Sequence, residues 1–294
     1  MALIIDGKKI ANDIKNELIS EVQKLYRAKN IRPKLALLLI GEDAASQSYV
    51  RSKEKLCSEI GIISLVFRKS ENISEKEVLK IIAEWNADAS IHGILVQLPL
   101  PKHINKTKIT LSIHPSKDVD GLHPENVGRL VIGLPTYVPC TPLGIYELLK
   151  RYKIETKGKH CVVVGRSNIV GKPMANLLYQ KAPNADSIVT LCHTAANSMS
   201  YYTKQADIII AAAGVPNLIK SDDVKEGVVV FDVGINRVPD TMTETGSKIV
   251  GDVDFDEVSK KASAITPVPG GVGQMTVAML MLNTIRSAKN EIYL

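Results

Sequence analysis

Apolar residues recur at helical spacing near the start of the chain, where Ile10, Ile14, Leu18, Val22 and Leu25 share one face of a helix expected over residues 7–29. The run Lys34-Leu-Ala-Leu-Leu-Leu-Ile40 lacks polar alternation, the mark of a strand covered on both faces. A helix follows Gly41 to about Ile60, then a strand over Ile62–Phe67, a helix opened by the capping box Ser74-x-x-Glu77, and a strand over His92–Leu98. Such alternation predicts an α/β domain with a parallel sheet. Two Pro-rich segments, Leu98-Pro-Leu-Pro101 and Leu134-Pro-Thr-Tyr-Val-Pro-Cys-Thr-Pro142, interrupt it, and the helix Leu143–Tyr152 bridges to a second series. There the strands Cys161–Val164, Ser187–Leu191, Asp207–Ala211 and Val228–Asp232 predict a doubly wound parallel sheet. An amphipathic helix, Gln274–Ala288, follows the loop Pro267-Val-Pro-Gly-Gly-Val-Gly273 and is expected to pack back on the first domain. The expected division is thus residues 1–145, joined by 274–294, and residues 146–273.

Composition narrows the function classes. A length of 294 residues, 45% hydrophobic and 23% charged, suits two globular domains with ample core. The formal charge of +6 is spread along the chain with no basic run, so a nucleic-acid arm is not expected. Cys57, Cys140, Cys161 and Cys192 form no CxxC pair, which points to reduced thiols and a cytoplasmic protein. Neither Cys192-His193 nor the remaining histidines have zinc spacing, so no metal is expected. Ala2-Leu-Ile-Ile5 is too short for a signal segment, and no apolar run approaches a membrane span.

Candidate chemistry begins at Cys161-Val-Val-Val-Gly165-Arg166-Ser167-Asn168-Ile169-Val170-Gly171-Lys172-Pro173, a strand that breaks into a glycine turn and opens a helix. A turn of this kind aims backbone N–H groups and a helix N-terminus at one point, which suits a phosphate. Arg166 and Ser167 offer a guanidinium and a hydroxyl for a further phosphate on the ribose, favouring NADP over NAD. Upstream, Tyr49 and Lys53 stand one helical turn apart on a stripe continued by Leu56 and Ile60. Desolvation there would lower the lysine pKa toward acid–base use, while a lysine snorkelling at a helix edge has the same spelling. Gln97 ends a buried strand, where α/β sheets put ligand groups and where strand-end amides also sit. Asp118-Val-Asp120-Gly121 has the spelling of ordinary turn chemistry, and equally of a carboxylate that accepts two hydrogen bonds from a flat amino-heterocycle.

Taken in order, Tyr49-Val-Arg-Ser-Lys53, Gln97-Leu-Pro-Leu-Pro101, Lys117-Asp-Val-Asp120-Gly121, Gly165-Arg-Ser167 with Gly171-Lys-Pro173, and Pro269-Gly-Gly-Val-Gly273 resemble the bifunctional methylenetetrahydrofolate dehydrogenase/methenyltetrahydrofolate cyclohydrolase family, often called FolD. The resemblance runs from about residue 4 to the final helix. It implies two α/β domains, the second Rossmann-like, with an active-site cleft between them. It also implies NADP-dependent oxidation of 5,10-methylenetetrahydrofolate to the 5,10-methenyl cation, hydrolysis of that cation to 10-formyltetrahydrofolate, and a homodimer. By the same resemblance Lys53 is catalytic, Tyr49 stacks on the folate, Gln97 hydrogen-bonds and tunes Lys53, and Asp120 anchors the pterin. Pro269, Gly270 and Gly271 belong to the folate side. Gly165, Arg166, Ser167 and Thr194 belong to the cofactor, with Ile235 of Val233-Gly-Ile-Asn236 beside the nicotinamide. Two positions depart from the family: Gln274 stands where proline is usual, and Thr194 where serine is common in some members.

Three rival readings are weaker. Tyr49-x-x-x-Lys53 has the spelling of a short-chain dehydrogenase pair, but there the glycine-rich turn precedes the Tyr-Lys helix and here it follows. A shikimate-type dehydrogenase shares the domain order without these motifs. A non-catalytic folate or nucleotide sensor would not need the lysine, glutamine and aspartate together.

Overall fold

The computed structural model describes residues 2–240 and 246–293. The chain forms two compact units, one of Met1–Ala11 with Thr141–Thr276, the other of Asn12–Cys140 with Val277–Leu294. It opens with β1 (Leu3–Ile4) and α1 (Gly7–Lys29).

In the Asn12–Cys140 unit the elements are β2 (Lys34–Ile40), α2 (Ala44–Ile60), β3 (Ile63–Lys69), α3 (Glu75–Ala87), β4 (Gly93–Val96), α4 (Lys106–Ser112) and α5 (Pro124–Val131). The strands run parallel in the order β3-β2-β4. β2 is central, and its unbroken apolar run is buried from Leu35 to Ile40. Leu38, Ile82, Trp85, Ile94 and Ile109 form the core beneath it. α2, which carries the lysine of interest, is fixed at both ends. Asp43 accepts from Ser46 N at 2.7 Å at its start, and Gly61 takes the left-handed φ of 90° at its end. The expected capping box is present at α3, where Ser74 and Glu77 exchange hydrogen bonds.

The other unit holds α6 (Cys140–Arg151), β5 (His160–Val164), α7 (Gly171–Leu178), β6 (Ile188–Cys192), α8 (Met199–Thr203), β7 (Ile208–Ala211), β8 (Val229–Asp232), β9 (Asn236–Pro239), β10 (Ser247–Val250), α9 (Phe255–Val258) and β11 (Ala264–Ile265). Its sheet is parallel in the order β1-β11-β8-β7-β5-β6, with β9 and β10 as a separate antiparallel ribbon. From β5 the chain moves outward to β6 and then returns across β5 to β7. This leaves a topological switch point at the carboxyl ends of β5 and β7, where open α/β sheets bind ligands. α10 (Val272–Ala288) ends the ordered elements.

The division differs from the expected boundaries in its details. Residues 1–11 and 141–145 sit with the doubly wound sheet, not with the first domain. The cause is long-range: Leu3 and Ile4 pair with Ala264 and Ile265, and Asp6 N donates to Tyr152 Oη at 2.8 Å. A two-residue strand leaves no periodicity to detect. Nor is α10 amphipathic, since Ala278 through Met281 and Asn283 through Ile285 are all buried.

Candidate active site

Tyr49 and Lys53 lie one turn apart on α2, Tyr49 exposed and Lys53 half-buried. Lys53 Nζ donates to Gln97 Oε1 at 2.8 Å. Gln97 follows β4, and its backbone N–H extends the ladder to Leu38 O at 2.9 Å. Its amide is oriented by Nε2 donating to Leu98 O at 2.7 Å, which leaves Oε1 to face the lysine. Burial holds the Lys53 amine below the usual lysine range, against the opposing pull of Asp120, Cys140 and Cys57. The lysine is therefore held by an acceptor and biased toward the neutral form.

The two aspartates of the Asp118–Gly121 turn have separate tasks. Asp118 is buried, and its Oδ2 accepts from His123 N at 2.7 Å and Asn126 Nδ2 at 2.8 Å, so it shapes the turn. Asp120 is half-buried; burial raises its carboxyl pKa, while Lys53, a hydrogen bond with Cys140, and Lys106 pull it back. Gly121 takes φ +71°, and a Cβ there would lie 2.5 Å from Tyr137 O, so only glycine lets the turn close on this segment. Asn283 Nδ2 bridges the same two segments, donating to Val119 O at 2.9 Å and Val138 O at 3.1 Å. Cys140 Sγ adds a contact to Val119 O at 3.7 Å. A cavity of about 20 Å³, walled by Leu98, Leu100, Lys106 and Ile109, opens beside the aspartates. An amine held by an amide, with the Asp120 carboxylate acting on it, is a set that can orient a heterocycle and move one proton.

In the other unit, Gly165 ends β5 with φ +121°, and its N–H donates to Cys192 O at 2.8 Å. A Cβ on Gly165 would strike the Ala212 carbonyl, and one on Gly171 would strike the Gly165 carbonyl. Both glycines are thus demanded by close backbone packing of turn, helix and neighbouring loop. Ser167 Oγ accepts from Val170 N at 3.1 Å and Gly171 N at 3.4 Å, so it closes the turn, and its O–H donates to no partner among the described residues. Arg166 is exposed and forms no ion pair among the described residues. Thr194 is exposed just past β6, whose last residue Cys192 pairs with Val164 of β5, so Arg166 and Thr194 leave adjacent strand ends. Ile235 is 54% exposed, and its Cδ1 lies 3.4 Å from where a Cβ of Gly273 would be. An exposed arginine and hydroxyls above a glycine turn, with an apolar side chain at the same sheet end, fit a dinucleotide bearing a ribose phosphate.

The Pro269-Gly270-Gly271 loop is mixed. Gly270 has φ +113°, and a Cβ there would meet Pro267 Cγ at an ordinary 3.7 Å, whereas a Cβ on Gly271 would lie 2.5 Å from Pro267 O, so Gly271 answers to its own loop. Gln274 is exposed in the first turn of α10, its N–H bonded to Gly271 O at 3.2 Å.

Cys140, Lys106 and Asn283 are the site neighbours that sequence reasoning missed. Cys140 was visible only as a thiol in a Pro-rich stretch, and no local pattern announced any of the three.

A family model described as Tetrahydrofolate dehydrogenase/cyclohydrolase, catalytic domain, matches residues 5–120, and one described as Tetrahydrofolate dehydrogenase/cyclohydrolase, NAD(P)-binding domain, matches residues 139–292. The bifunctional protein FolD of Chloroherpeton thalassium is 56% identical over 287 residues, covering 97% of this chain and 98% of that protein. Among solved structures, the bifunctional enzyme FolD, a methylenetetrahydrofolate dehydrogenase/cyclohydrolase from Campylobacter jejuni, aligns with TM-score 0.93 at 55% identity, covering 99% of this chain and 100% of that one. The Trypanosoma brucei N5,N10-methylenetetrahydrofolate dehydrogenase-cyclohydrolase, solved with NADP cofactor and an inhibitor, aligns with TM-score 0.93 at 39% identity, covering 100% and 99%.

Proposed function

The chain belongs to the tetrahydrofolate dehydrogenase/cyclohydrolase family, and we propose from that premise how its own residues divide the work. It is a bifunctional enzyme of one-carbon metabolism that oxidises 5,10-methylenetetrahydrofolate to the 5,10-methenyl cation with NADP and hydrolyses that cation to 10-formyltetrahydrofolate. The observation that carries the assignment of roles is the 2.8 Å hydrogen bond from Lys53 Nζ to Gln97 Oε1, with Asp120 and Cys140 beside the amine.

Gly165, Arg166, Ser167 and Thr194 would hold NADP, with Arg166 and the Ser167 hydroxyl toward the ribose phosphate and Ile235 toward the nicotinamide, and the cofactor would supply the hydride acceptor for the methylene carbon. Loss of hydride needs no side-chain base, because the two nitrogens flanking the carbon share the positive charge that develops. Asp120 takes two hydrogen bonds from the pterin, and Tyr49 covers the folate rings.

Hydrolysis is where Lys53 acts. As water adds to the cationic carbon, the neutral amine accepts one of its protons; as the C–N5 bond breaks, the ammonium returns a proton to N5, and the second water proton leaves for solvent. Gln97 keeps Nζ aimed during both transfers. Burial moves the Lys53 pKa downward, the direction that enlarges the share of free amine for this transfer.

The finer assignments rest on narrower support. Four free, buried cysteines favour a reducing cytoplasm. Exposed Ile188 and Leu191 on the edge strand β6, 65% and 40% exposed, favour burial against a second copy in a homodimer.

The test is to mix purified protein with methylenetetrahydrofolate and either NADP or NAD, following reduced nicotinamide and methenyl absorbance separately. The reading expects nicotinamide reduction that is faster with NADP, and methenyl that appears and then decays. Reduction without methenyl decay would remove the second activity, and no reduction with either dinucleotide would remove the first.

A further inference from the structure

Two aspartates lie almost wholly buried at the carboxyl end of the six-stranded sheet. Asp232, the last residue of β8, is 3% exposed, and Asp252, just after β10, is 0% exposed. Neighbouring buried carboxylates are costly unless donors surround them. Asp252 accepts from three successive backbone N–H groups, Ala213 at 2.6 Å, Gly214 at 2.8 Å and Val215 at 3.0 Å, and from Asn236 Nδ2 at 2.8 Å. Asp232 accepts from the N–H groups of Gly234 at 2.9 Å, Asp252 at 2.9 Å and Val253 at 3.0 Å. There is no slack in the cluster, because a Cβ on Gly234 would strike the Asp252 carboxylate and one on Gly251 the Asp232 carboxylate.

The donors share a location. Ala213 to Val215 form the loop after β7, and the Gly165 turn is pressed against the Ala212 carbonyl that begins this loop. Gly234 and Asn236 bracket Ile235. One carboxylate therefore ties the loop beside the phosphate turn to the residue after Ile235, and its neighbour fixes the turn before Ile235. We infer that Asp252, seated by Asp232, is the positioning residue for the nicotinamide half of the dinucleotide, acting through loop 213–215 and Ile235 without touching the ligand. This rests on the assignment of Ile235 and the Gly165 turn to NADP.

Asp252→Asn keeps the side-chain shape and one acceptor but turns an N–H₂ toward backbone N–H groups, so part of the cluster is left unpaired. Calorimetric titration of the purified full-length chain with NADPH is expected to give a Kd about tenfold weaker, with a matching rise in KM for NADP. Adenosine 2′,5′-bisphosphate, which carries the ribose phosphate but no nicotinamide, should bind within about twofold of wild type, and the kcat for hydrolysing methenyltetrahydrofolate should hold within about twofold. Unchanged NADPH affinity overturns the inference, as does equal weakening of both ligands or joint loss of both activities, each of which marks a merely structural role. If Asp252→Asn does not fold, Asn236→Ala, which removes one donor, decides the matter: NADPH about threefold weaker with adenosine bisphosphate unchanged supports it, and no change overturns it. Wild-type protein that binds no NADPH would overturn the dinucleotide assignment itself, and the inference with it.

Discussion

Lys53 Nζ donates to Gln97 Oε1 across 2.8 Å, joining a residue in the middle of α2 to the end of β4. The bond holds the amine in one direction and favours its ammonium, while burial favours the free amine. Replacing Gln97 with leucine removes the acceptor and keeps comparable volume. Steady-state assays of Gln97→Leu should show cyclohydrolase kcat down at least about tenfold. The acid limb of its pH profile should move to lower pH, since one interaction favouring the ammonium is gone. A profile at the wild-type position would show that Gln97 does not tune the lysine.

Asp120 is expected to anchor the pterin for both reactions. Asp120→Asn replaces one acceptor oxygen with a donor, so one of two pterin hydrogen bonds is lost. Calorimetry with tetrahydrofolate should show affinity about tenfold weaker, with KM raised in both half-reactions. Normal affinity would free Asp120 from that role.

What was legible in the sequence is what local periodicity and turn chemistry encode. The buried run Leu35–Ile40, the capped helices, the one-turn spacing of Tyr49 and Lys53 and the strand-end place of Gln97 all follow from residues close along the chain. Missing were features made by distant segments. Cys140 meets Asp120 only because Gly121 allows the turn to close on Tyr137 and because the Asn283 amide bridges Val119 and Val138. β1 has two residues and finds its partner at Ala264 and Ile265. The two aspartates of one short turn, alike in sequence, separate only when Asp118 is seen to hold the turn from inside and Asp120 to face the amine.

Arg166 stands exposed past the Gly165 turn with no ion pair among the described residues, and the proposed function gives it the ribose phosphate. Arg166→Ala should raise KM for NADP by about tenfold or more and leave KM for NAD nearly unchanged, because only NADP carries the phosphate. Kinetics showing an unchanged NADP to NAD ratio would remove Arg166 from the phosphate site.

Asp118 should leave a mark on stability against pH. Burial pushes its carboxyl up to about 7 despite its two donors. The folded chain then keeps a proton that the unfolded chain releases near pH 4, so this group's contribution is complete below about pH 4 and is lost as pH rises through about 7, on the order of a few kcal/mol in all. Asp118→Asn keeps an oxygen for both donors and abolishes the titration. Thermal melts should show the variant gaining on wild type as pH rises across that window, and a constant gap in Tm would contradict the buried proton.

The central claim is that Lys53 carries the proton in hydrolysis and is not the base for hydride transfer. Lys53→Met preserves the length and apolar body of the side chain and deletes the amine. Both reactions measured on one preparation of the folded variant should show cyclohydrolase activity reduced by about a thousandfold or more, with dehydrogenase kcat reduced far less. Equal loss of the two activities, with the fold intact, would contradict the account.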